Sequence, residues 1–66
     1  MAERPDVNVR NEGSIFLFHL NTPAASMWVR EHIGEDAQFF GSGLVVEHRY
    51  AGEIAEGMIE DGLTLK

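Results

Sequence analysis

The stretch Asn21 to Gly34, NTPAASMWVREHIG, constrains this chain more than any other, because it carries the marks of both ends of a helix. Thr22 can cap the helix, and Pro23 suits its first position, where a missing N–H costs nothing. Gly34 can take the left-handed conformation that closes the last turn. Between these signals Ala25, Trp28, Val29, His32 and Ile33 recur at spacings of three and four and so share one face, while Arg30 and Glu31 fall away from it. The runs on either side have another character. SIFLFHL, ending at Leu20, is β-branched and aromatic; alternation puts Ile15, Leu17 and His19 on one face and Phe16, Phe18 and Leu20 on the other. Two apolar faces predict a central strand, covered by helices on one side and partly covered on the other. LVVE, ending at Glu47, is a further strand.

The remaining segments complete the order. VNVR, starting at Val7, alternates as a short half-buried strand should, and NEG joins it to SIFLFHL as a hairpin loop with Gly13 at positive φ. A second helix is expected from Arg49 to Asp61, with Tyr50, Ile54, Ala55, Met58 and Ile59 on one face, Gly62 as its stop and LTLK as a closing strand. Between the first helix and LVVE, Phe39 and Phe40 either begin a strand or form a loop that plugs the core; Gly41 and Gly43 permit a bend there. The sum is an α+β domain: a small mixed four-stranded sheet, ββαβαβ along the chain, with two helices packed on one face. A strand–helix–strand run joined by tight turns favours parallel pairing of SIFLFHL with LVVE through a right-handed crossover. The opposite sheet face keeps apolar residues that need a cover, and a second copy is the simplest one, so a homodimer is expected.

With 66 residues there is room for one domain, 1–66, whose first six residues read as a frayed start. At this size apolar burial and conformational entropy nearly cancel. The sequence has no cysteine, so neither a disulfide nor a thiolate metal site can help. No run approaches the roughly 20 apolar residues of a membrane span. MAERPDVNVR lacks the apolar core of a secretory signal, and with the absence of cysteine this predicts a cytoplasmic protein. The formal charge of −6 is one-sided: residues 1–30 are neutral, and 31–66 hold eight acids against two bases. Direct binding to nucleic acid, which depends on neutralising phosphates, is therefore not expected; a basic protein surface is the natural partner.

Two groups of side chains are candidate sites. Glu53, Glu56 and Glu60 recur at helical spacing and, with Asp61, form an acidic row, read either as a docking strip for a basic partner or as a solvated face. Glu47, His48, Arg49 and Tyr50 stand where a strand hands over to a helix, a position at which open α/β sheets often bind ligands. There His48 could serve as a general base oriented by Glu47. The plainer reading is a hinge, with a Glu47–Arg49 surface ion pair and Tyr50 anchoring the helix in the core. His19, His32 and His48 lack the short spacing of a metal-ligand pair, so no metal is expected. Gly57, inside a helix, costs about 0.5–1 kcal/mol relative to alanine and signals a close approach by another backbone. There is no phosphate-binding glycine loop and no serine elbow, and no cofactor is implied.

The pattern EGSIFLF…TPAA…W…FFGSGLVVEHRY…DGL, spanning roughly residues 12–65, resembles a group of short, uncharacterised bacterial and phage-associated proteins. The resemblance implies a bacterial or mobile-element setting and no catalytic residue. The functional expectation is a non-enzymatic, cytoplasmic interaction module, dimeric, presenting Glu53, Glu56 and Glu60 to a partner. The alternative is a small-ligand or catalytic site at Glu47, His48, Arg49 and Tyr50, completed across the dimer.

Overall fold

The structure, a computed structural model, describes residues 4–66. The elements are β1 (Val7–Asn11), β2 (Ile15–Leu20), α1 (Pro23–His32), a 3-10 turn (Gly34–Asp36), β3 (Phe39–Phe40), β4 (Gly43–Glu47) and α2 (His48–Glu60). They make an α+β fold with one four-stranded sheet in the order β1-β2-β4-β3.

Each expected punctuation mark has a visible cause. Asn11 Oδ1 accepts the Gly13 N–H at 2.9 Å, closing an Asx turn, and Gly13 adopts φ 96°, so the first hairpin reverses as NEG predicts. Thr22 Oγ1 accepts the Ala25 N–H at 3.2 Å, with Pro23 following it in the first turn. Gly34, at φ 68°, ends the α1 region. β3 and β4 are joined by a two-residue loop, Gly41–Ser42, with positive φ only at Gly41, the pattern of a II′ hairpin.

The pairing of β2 with β4 is antiparallel, with Phe18 opposite Leu44 and Phe16 opposite Val46, where the spacing favoured a parallel pair. The reason lies in Phe39–Phe40, which form a strand. β3 is antiparallel to β4, so β3 runs in the direction of β2. The crossover through α1 thus leads to β3, one position out, and β4 doubles back into the gap. The chain's end is likewise a fragment of strand: Leu65 bridges Val7 in parallel, with backbone bonds Val7 to Thr64, Val9 to Lys66 and Lys66 to Val7. That single parallel contact covers the outer edge of β1.

Both helices pack on the same sheet face. Val7, Phe18, Leu44 and Val46 from the sheet meet Ala25, Trp28 and Val29 of α1, Ala51 and Met58 of α2, and Leu63, in one cluster. Phe18, Leu44, Met58 and Val7 are fully buried, each contributing about 1.5–3 kcal/mol of transfer free energy. The inward residues of α2 are Ala51, Ile54, Ala55 and Met58; Tyr50 and Ile59, expected to join them, are 47% and 59% exposed. Tyr50 does not anchor the helix. Its place is one residue too early in the turn, and Ala51 takes the inward position.

Gly57 is explained by a side chain, not by a backbone. A Cβ built there would lie 3.1 Å from Cζ2 of Trp28, so the indole of α1 rests directly on the α2 backbone. Trp28 is held there: its Nε1–H donates to Asp61 Oδ2 at 2.6 Å, and the His32 ring stacks on it at 4.1 Å.

Of the expected frayed start, residues 1–3 lie outside the described residues, whereas Asp6 is firmly tied. Its carboxylate accepts from Thr22 Oγ1 at 2.7 Å and from the Thr64 N–H at 2.9 Å. It thereby joins the entry to β1, the cap of α1 and the closing segment. The Thr22 hydroxyl, and after it the Thr64 amide, hold this carboxyl below the usual aspartate range.

Candidate interaction surface on α2

The outer face of α2 follows from its inward stripe. With Ala51, Ile54, Ala55 and Met58 turned to the sheet, Glu53, Glu56 and Glu60 point to solvent, and all three are exposed. The ion pairs among the described residues are Arg10–Glu12 and Arg49–Glu47, with His32 Nε2 also within 3.3 Å of Asp61, so none engages these glutamates. The last turn holds no basic residue to offset them against the helix dipole. Ile59 stands between Glu56 and Glu60 in sequence. The face is therefore anionic with one apolar element. Asp61 leaves the row, since its carboxylate is turned to Trp28 and His32.

The second candidate group does not gather at one point. Arg49 Nε lies 3.4 Å from Glu47 Oε1, and the guanidinium sits 4.9 Å above the Tyr50 ring. His48 turns away from Glu47 and packs on Phe16, ring centres 4.5 Å apart. Glu47 and Tyr50, however, both line a groove of about 410 Å³ between the 3-10 turn and α2, floored by Leu44 and Val46 and walled by Ile33, Ala37 and Ile54. Nothing in the sequence advertises this groove. It exists because β3 pairs along only two residues of β4 and then veers away.

The histidines occupy three settings. His19, on the sheet face away from the helices, covers Gly43 and has Nδ1 3.4 Å from Ser42 Oγ. His32 closes α1, with Nδ1 2.9 Å from the Trp28 carbonyl and Nε2 3.3 Å from Asp61 Oδ2. His48 is at the other end of β2, against Phe16. Among the described residues no three metal-ligating side chains converge. The Trp28–His32–Asp61 cluster was not foreseen as a unit; an in-helix glycine facing a large aromatic is the signal that could have found it.

The uncovered sheet face carries Arg10, Ile15, Leu17, His19, Val45, Glu47 and Phe40. Leu17 is only 7% exposed there, shielded by its neighbours, whereas Phe40 at the edge is 73% exposed. Among the described residues no helix is long and apolar enough to cross a membrane. No known family model, curated protein or solved structure matches this chain.

Proposed function

We propose that this chain is a non-enzymatic interaction module that works in the cytoplasm as a homodimer and offers the outer face of α2 to a basic partner protein. The observation that carries the reading is the row Glu53, Glu56 and Glu60, exposed and in no ion pair among the described residues, with Ile59 as an apolar element beside it. Unpaired like charges on one helix face cost a few tenths of a kcal/mol per pair, a cost that a cationic surface would remove. Such a surface is steered by long-range charge, so association should weaken as salt rises. The apolar part of the open sheet face that stays accessible, Ile15, Val45 and Phe40, is the natural seat of a second copy.

The test is capture of cytoplasmic proteins on the immobilised chain, with the wild type beside the Glu53→Gln, Glu56→Gln, Glu60→Gln variant. The reading expects partners that the variant loses and that moderate salt releases. The same partners recovered by both proteins would remove α2 from the account. Sedimentation of the free chain tests the dimer, and a monomer at high micromolar concentration would refute it.

A second reading, a small-ligand site at Glu47, His48, Arg49 and Tyr50, draws support from the groove that Glu47 and Tyr50 line. It requires amide shifts at those four residues in a fragment screen, and shifts confined to other surfaces would end it.

A further inference from the structure

The groove beside α2 carries more than apolar walls, because it runs along an unfinished sheet edge. Val45 donates its N–H to the Gln38 carbonyl at 2.8 Å, which fixes the side toward which Val45 turns its backbone groups. This is the last backbone bond between β4 and the chain leading into β3. Beyond it, among the described residues, the Val45 carbonyl has no backbone donor on that side. By the two-residue alternation of a strand, the Glu47 N–H faces the same way and is likewise unmatched. The edge of β1 is treated differently, since Leu65 and its neighbours pair with it. One side of the sheet is closed by the chain itself, whereas the other stops at the Val45–Gln38 bond and leaves the Val45 carbonyl and the Glu47 N–H unmatched.

We propose that this edge takes an extended segment of a partner polypeptide by strand addition parallel to β4 beside Val46, so that one added residue donates its N–H to the Val45 carbonyl and accepts the Glu47 N–H. A carbonyl acceptor and an amide donor one strand period apart match a peptide backbone, whereas a compact small molecule would have to reproduce that spacing. The inward side chain of the added residue enters the groove between Ile33, Ala37, Tyr50 and Ile54, so a branched or aromatic apolar residue fits there. Charge specifies the flanks. Glu35 and Asp36 stand exposed just before Ala37, Glu47 borders the other rim, and Arg49 is engaged by Glu47. The residues flanking the inserted one should therefore be lysine or arginine. This rests on the reading of the chain as a module for basic partners, and it names a second surface and a backbone mode of binding.

The experiment selects a display library of random nine-residue peptides on the immobilised full chain. Recovered peptides are then titrated into 15N-labelled protein. Expected are peptides with a central apolar residue between basic ones, amide shifts at Ala37, Glu47, Tyr50 and Ile54, and at least tenfold slower exchange of the Glu47 amide. N-methylation of alternate peptide residues should weaken binding at least tenfold in one of the two registers, a result that needs no protein variant. Tyr50→Ala, at an exposed wall, should weaken it severalfold. Failure to recover any peptide would overturn the inference. So would N-methylation without effect. Shifts confined to Glu53, Glu56 and Glu60 would overturn it while leaving the α2 reading intact. Conversely, groove binding together with unchanged capture by the triple glutamine variant would retire α2 and leave the groove.

Discussion

The two glycines of α2 permit a test in which one substitution, made twice, should act with opposite sign. At Gly52 an added Cβ meets no heavy atom within 4 Å, and the position is exposed. Alanine there should stabilise by about 0.5–1 kcal/mol, the backbone entropy that glycine loses in a helix. At Gly57 the same gain is opposed by the Trp28 indole, whose Cζ2 would stand 3.1 Å from the new carbon. Carbon atoms rest at about 3.5–4.0 Å, so the ring must retreat by several tenths of an ångström. It is poorly free to do so, bonded to Asp61 on one edge and stacked on His32. Overpacking of this kind costs about 1–3 kcal/mol, leaving Gly57→Ala with a net loss of up to about 2 kcal/mol. Thermal unfolding followed by circular dichroism reads the contrast readily, since 1 kcal/mol moves Tm by about 4–8 °C at this chain length. Trp28→Phe deletes the two atoms that a Cβ at 57 would meet, so in that background Gly57→Ala should become stabilising, a coupling visible in the double-mutant cycle. If Gly57→Ala and Gly52→Ala stabilise equally in the wild type, the indole is not seated on the helix as described.

Further outcomes follow from the same contacts. Because Asp6 is held below its ordinary value, its carboxylate stabilises the fold above the unfolded value of about 3.9, and that contribution should fade as pH falls below it. Urea midpoints from pH 5 down to 2 should show this decline in the wild type and a shallower one in Asp6→Asn; parallel curves would refute it. Asp61→Ala removes the acceptor of the Trp28 N–H and should cost about 1.5 kcal/mol, the low end for a bond to a charged group because the carboxylate is half exposed. An unchanged Tm would contradict it. Phe18→Ala, at the centre of the core, should cost about 3–5 kcal/mol, enough to unfold a domain this small, and a folded proton spectrum would count against the packing.

The parts of the fold that were legible in the sequence are those written locally. Thr22, Pro23 and Gly34 bound α1, Gly13 turns the first hairpin, and the 3.6-residue period places Ala25, Trp28 and Val29 inward, all because a few neighbouring residues decide them. Strand pairing is settled by distant partners, so the antiparallel match of β2 with β4 could not be read before Phe39–Phe40 had been recognised as the strand that the crossover reaches. The inward stripe of α2 had a related weakness: Tyr50 stands four residues before Ile54 and so was placed inward by spacing, although Ala51, three before Ile54, fills that position. Among the candidate sites, the exposure of Glu53, Glu56 and Glu60 followed from periodicity. The groove did not, because it is made by where β3 stops, and no residue type records that.

The position of Trp28 has a practical consequence, since it is the sole tryptophan of the chain. Its indole lies between the two helices with its N–H on a carboxylate at the end of α2, so all of the tryptophan emission comes from this junction. Any event that shifts one helix against the other, whether a bound peptide or a second copy, is reported by the colour and lifetime of that light without a label.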